Sequence, residues 1–182
     1  MSESLSQPEQ DELLKIARDT IVAYLTTGKA SLVETSFSGL CSQSGCFVTI
    51  KQQGKLRGCI GNFVSEAPLY KLVQEMAISA ATKDPRFYPM KQDDLEHFEL
   101  DISVLSPLWK IESLDEIQVG QHGLYIIKDT YQGVLLPQVA SEYGWDRDTF
   151  LKHTCLKAGL PEDAWQKDCE IYIFNAQVFG EK

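Results

Sequence analysis

The stretch KLRGCIGNF, Lys55 to Phe63, holds the residues best suited to chemistry. Arg57 and Cys59 stand two apart, with Gly58 and Gly61 leaving little bulk around them. Strand geometry alternates with period two, so Arg57 and Cys59 are expected on one face and Leu56, Gly58 and Ile60 on the other. A cysteine becomes a nucleophile when a nearby cation favours its thiolate. Glycine inside a strand marks a place where another backbone, or a ligand, comes close. The plainer reading is also open: a strand cysteine is often a small packed residue, and Arg57 has many carboxylates to pair with.

Other candidates lie far off in the chain. His122 in GQHGL sits between polar and glycine residues, as if in a turn, and has the right chemistry for an acid/base. Asp84 and Arg86 in DPRFYPM are placed to orient a carboxylate or phosphate, since the arginine fork binds such oxyanions in pairs. They are equally able to pair with each other and staple the loop. Gln138 and Glu142, four apart, line a cleft or simply follow Pro137 at a helix start. Arg57 and Arg86 are expected to converge on one anionic group, with His122 at its edge. Cys155 shares a helix face with Leu151 and Ala158 and reads as core.

The elements that must position these residues follow from periodicity. Leu14, Ala17, Ile21, Tyr24 and Leu25 recur at helical spacing, which predicts a helix over 8–26 ended by Gly28. Residues 29–45 read as loop. CFVTIK, QGK and LRGCI predict a hairpin over 46–60 with a three-residue loop, Gln53 to Lys55. Matching the apolar faces then sets Val48 against Ile60, Thr49 against Cys59, Ile50 against Gly58 and Lys51 against Arg57. A second helix is expected over 66–82, stopped by the prolines of DPRFYPM. FELDISVL (98–105) alternates as a strand. LYIIK and GVLLP predict another hairpin around Asp129 to Gln132. Asp146 can cap a helix over 147–158, and 170–179 reads as a last strand. Helices and hairpins without a βαβ repeat give an α+β class with antiparallel pairing.

Composition excludes several functions. The chain has 182 residues and a net charge of −9, with no Lys/Arg run, so nucleic acid is not an expected partner. No apolar run is long enough to span a bilayer, and the polar, acidic start does not read as a signal peptide. Five cysteines without framework spacing suggest free thiols in a reducing cytoplasm. Zinc needs paired ligands at short spacing, which Cys41, Cys46, Cys59, His153 and Cys155 do not provide, so no metal is expected. No P-loop, dinucleotide fingerprint or nucleophile elbow occurs, and no cofactor is expected.

The blocks GCFVTIKQQGKLRGCIGNF, AATKDPRFYPM, DISVLSPL, VGQHGLYI, VLLPQVASEYGWDRDTFLKHTCLKAGLPEDAW and IYIFNAQVF together resemble the AMMECR family, from about residue 10 to residue 180. LRGCIG is that family's signature. The resemblance implies one domain over 1–182 with two sub-lobes, the larger an antiparallel sheet flanked by helices, and a cleft near the signature strand. It implies as partners a radical-SAM protein and a Memo-like protein, the companions of microbial members in the AmmeMemoRadiSam system. It supplies no settled reaction. The expected role is binding of a small anionic ligand at the signature, with Cys59 as nucleophile, or else an adaptor module without catalysis.

Overall fold

In a computed structural model that describes residues 4–182, the alternation of CFVTIK forms β1 (Cys46–Gln52), and the signature forms β2 (Lys55–Asn62). The strands pair antiparallel with Val48 opposite Ile60, Thr49 opposite Cys59 and Ile50 opposite Gly58, as the burial pattern requires. The turn departs from expectation. Gln53 and Gly54 both take positive φ, 51° and 73°, and Gln52 pairs with Lys55. This is a two-residue turn of the kind whose twist matches a hairpin. Shortening the loop by one residue leaves one residue too many on β2. The buried pairs further along cannot slip, because a one-residue slip would turn every apolar side chain outward. The surplus is absorbed as a bulge: Lys51 pairs with Leu56, and Arg57 has no partner across the ladder. The expected Lys51–Arg57 pair therefore does not form.

Residues up to Leu105, with Gln177–Lys182, make one compact unit, and Ser106–Ala176 make a second. In the first unit β3 (Glu99–Leu105) flanks β1 on the side away from β2, with Ile102 against Val48 and Leu100 against Ile50. Two helices cover this sheet, α1 (Gln7–Thr27) and α2 (Leu69–Thr82). The second starts three residues later than its periodicity suggests, because Pro68 keeps the residue before it out of helical geometry. Leu13, Ala17 and Ile21 of α1 meet Leu72, Val73 and Met76 of α2 and Val48, Ile50, Leu100 and Ile102 of the sheet in one buried cluster. The loop expected over 29–45 contains one short 3-10 turn, Ser38–Cys41.

The carboxy-terminal residues close this unit. Arg18 donates to both Glu181 carboxylate oxygens and to the Phe98 carbonyl, each at 2.6 Å, and lies 4.0 Å over the Phe98 ring. Glu181 also accepts the N–H of Leu100 at 3.0 Å. The Gln177 amide exchanges two hydrogen bonds with the backbone of Leu5.

In the second unit β5 (His122–Lys128) pairs with β6 (Tyr131–Leu135) on one side and, on the other, with the part of β7 (Glu170–Gly180) that lies before Gln177, and a two-residue strand, β4 (Trp109–Lys110), pairs with that same part. Two helices, α3 (Pro137–Tyr143) and α4 (Arg147–Lys157), belong to it. Asp146 caps α4, accepting the Thr149 N–H at 2.8 Å. Leu124, Ile126, Phe150, Leu151, Cys155, Ile171 and Ile173 form its core, so Cys155 is the packed residue its helix position suggests. The chain is thus α+β with antiparallel strands and flanking helices.

A β-carbon at Gly58 would run into the carbonyl of Ala80 on α2, and that carbonyl is backbone, which cannot swing away. Gly58→Ala is expected to cost about 2 kcal/mol or more, by overpacking. Gly54→Ala meets open space and carries only its left-handed backbone, a cost of about 1 kcal/mol. Denaturant midpoints of the two variants, at unchanged slope, check this order.

Candidate functional site

Asp84 lies two residues past the end of α2, after the capping Lys83, and is 5% exposed. Its Oδ2 accepts the backbone N–H of Cys59 at 2.9 Å and Arg86 Nη2 at 2.7 Å. Its Oδ1 accepts the Arg86 N–H at 3.1 Å and Nε at 3.0 Å. Four donors converge on one carboxylate. The hydrogen bond from the Arg86 side chain does most to hold the carboxyl far below the usual carboxylate range, and it outweighs the opposing effect of burial. The pairing of Asp84 with Arg86 that the sequence left open is therefore formed, and it does more than staple a loop. It pins the guanidinium by two of its nitrogens and ties it to the signature strand.

Cys59 is half-buried, and the Thr49 hydroxyl donates to its sulfur at 3.2 Å. The cation beside it is Arg86. Asp84 is the main cause of that guanidinium's raised pKa, and the charge of an ionised Cys59 adds to it. Lys51, expected near the thiol, instead pairs with Asp101 on β3. The Arg86 side chain is 56% exposed, and among the described residues its Nη1 makes no hydrogen bond. The result is a thiol, a hydroxyl and an arginine edge open to solvent.

Arg57 goes elsewhere. The bulge turns it towards the 3-10 turn Gln92–Glu96, and its side chain is 18% exposed. Its partner is Asp94, at 3.8 Å, so the two arginines answer to different carboxylates. Arg57, Lys55 and Gln52 line a depression of about 400 Å³ together with Asp93, Glu96 and His97. Arg86 and Cys59 are not among its lining residues. Sequence reasoning passed over Asp94. The available signal was an acid three residues into a short turn, which caps the Lys91 N–H at 2.8 Å.

Both signature glycines face protein. Gly58 meets Ala80, and a side chain at Gly61 would meet the Cys46 carbonyl and the Phe47 ring. His122 and Gln138 belong to the second unit. His122 opens β5 and is not in a turn; it is buried, its Nδ1 accepts the Gln118 N–H at 3.1 Å, and its ring stands edge-on to Trp109 at 5.4 Å. Burial lowers its pKa below the usual histidine value. Gln138 lies half-buried in the first turn of α3. Among the other thiols, burial pushes Cys46 up to about 12 and Cys155 up to about 11, which makes both poor nucleophiles at neutral pH. Among the described residues no three His, Cys, Asp or Glu side chains gather as metal ligands, and no helix is long and apolar enough to cross a membrane.

The family model AMMECR1 matches residues 14–179. A protein of Methanopyrus kandleri is 44% identical, over 100% of this chain and 93% of its own length. One from Methanocaldococcus jannaschii is 42% identical over 92% and 88%. The crystal structure of an uncharacterised protein from Pyrococcus horikoshii superposes with a TM-score of 0.86 at 39% identity, covering 95% of this chain and 91% of that one.

Asp84→Asn removes the charge that pins Arg86 and weakens the acceptor for Cys59. The expected loss at neutral pH is about 2 kcal/mol, the scale of charged hydrogen bonds lost at a buried acceptor. Because the folded pKa of Asp84 is depressed, its stabilisation is complete above the unfolded value of about 3.9 and is lost as pH falls from there. Urea denaturation from pH 7 downward should show the two proteins separated at neutral pH and converging in acid.

Proposed function

The chain belongs to the AMMECR1 family, and on that premise we propose that its signature strand carries a thiol site for a small anionic ligand, with Cys59 as nucleophile and Arg86 as the anchor of the anion. The observation that carries this reading is the buried Asp84 carboxylate, which fixes the Cys59 backbone and the Arg86 guanidinium from one point. Because the guanidinium is already held, less freedom is lost when it binds a carboxylate or phosphate. Its open Nη1 edge and its exposure leave room for that anion. The Cys59 sulfur then stands beside the bound ligand, ready to attack an electrophilic carbon and displace its leaving group. The Thr49 hydroxyl, donating to the sulfur, stabilises it when it carries charge. The second reading, an adaptor that presents a surface to a radical-SAM protein or a Memo-like protein, needs the arginine but not the thiol.

Two alkylating reagents of similar size separate the readings. Iodoacetate is an anion and iodoacetamide is neutral; each transfers its carbon to the thiolate with loss of iodide. With the native protein and limiting reagent, sites being mapped by mass spectrometry, Cys59 is expected to react faster than Cys41. The iodoacetate-to-iodoacetamide rate ratio should be several-fold higher at Cys59 than at Cys41. Arg86→Gln should erase that preference while Cys59 still reacts with iodoacetamide. A Cys59 slower than Cys41, or a ratio equal at both thiols, overturns the thiol site and leaves the adaptor.

A further inference from the structure

The Arg57 side chain is mostly buried, yet its only partner among the described residues is Asp94 at 3.8 Å, too far for a hydrogen bond. Arginine carries five N–H donors, and where the protein supplies no acceptor for them they are left to water or to a ligand. Asp94 is not free to come closer. Its Oδ2 is already held by the Lys91 N–H at 2.8 Å, and the backbone around it is fixed by the Gln52 amide, which donates to the Asp94 carbonyl at 3.1 Å. The β-bulge that aims Arg57 into the depression is also fixed, by the buried pairs on either side of it. So a cation lines a hollow with no protein acceptor within hydrogen-bond distance of its donors among the described residues. At about 400 Å³ the hollow falls in the lower part of the range for small-molecule sites, about 300–1,000 Å³.

The rest of the lining selects among anions. Lys55 adds a second positive charge, while Asp93, Asp94 and Glu96 bring three negative ones and His97 a polar ring. A dianion would gain at Arg57 and lose against the carboxylates; a dication would do the reverse. A molecule with both charges satisfies both halves. We infer that this hollow binds a small zwitterion, a free amino acid or short peptide, with its carboxylate on the Arg57 fork and its cationic group toward Asp93 and Glu96. The fork geometry gives two parallel hydrogen bonds that Asp94 cannot supply. This site is separate from the thiol site, and its existence does not depend on Cys59 or Arg86.

L-lysine is the probe, with succinate and 1,5-diaminopentane as the dianion and dication for comparison. Titrated in the millimolar range into 15N-labelled protein, L-lysine is expected to move the amide signals of Gln52–Arg57 and Asp93–His97 saturably. The two comparators should bind at least several-fold more weakly. Arg57→Gln should weaken L-lysine binding at least tenfold, and Glu96→Gln, a change at an exposed residue that leaves folding intact, several-fold. Thermal melts confirm that the variants are folded, and if Arg57→Gln is not, Glu96→Gln decides. No saturable shift with L-lysine, succinate binding as well as L-lysine, or an unchanged response in Glu96→Gln overturns the inference.

Discussion

The N–H of Cys59 points away from β1, at the outer edge of its sheet, and Asp84 accepts it. An edge N–H without an acceptor is either a cost or an invitation to another strand. Here the acceptor comes from the residue just past the cap of α2, so closing the edge also fixes where the helix stops relative to the strand. That placement brings the Ala80 carbonyl onto Gly58, and only glycine leaves room for it. The same carboxylate then sets Arg86. One buried charge thus determines the spacing of helix and strand, the identity of residue 58 and the position of the cation beside the thiol.

The second determinant is a count of residues. A two-residue turn and a buried ladder disagree by one position, and the bulge settles the difference. Its effect is to divide a short signature between two environments. Cys59 stays in the ladder, opposite Thr49. Arg57 leaves it and faces an acidic 3-10 turn. Two residues that a regular strand would put side by side therefore serve different neighbours.

Much of this was legible in the sequence, for identifiable reasons. Val48 and Ile50, like Leu100 and Ile102, are strongly apolar and alternate, so both strands were legible, and so was the register of Val48 and Ile50 against β2. Leu14, Ala17 and Ile21, recurring at helical spacing, did the same for α1. The Asp84–Arg86 pair was readable because a rigid, proline-bounded loop leaves the two few other partners. The bulge was not readable, because QQGK accommodates a two- or a three-residue turn, and the choice rests on Gln53 taking a left-handed backbone. His122 misled for a related reason. Flanking glycine and glutamine suggest a turn, but the residue begins a strand whose burial is decided by Trp109 and by backbone contacts with Gln118. Asp94 escaped notice because a capping bond inside its own short turn is what sets it beside Arg57.

The clamp between Arg18 and Glu181 has a consequence for how the molecule is made. The second unit is continuous in sequence, Ser106–Ala176, and is inserted between the two segments of the first. The first unit is interrupted: its helices and hairpin precede the insertion, but the partners of Arg18 and of the Leu5 backbone, Glu181 and Gln177, follow it. Domains commonly fold in the order of synthesis, amino-terminal first. In this chain the insertion works against that order, since the unit begun first cannot make its closing contacts until the whole of the second has been synthesised.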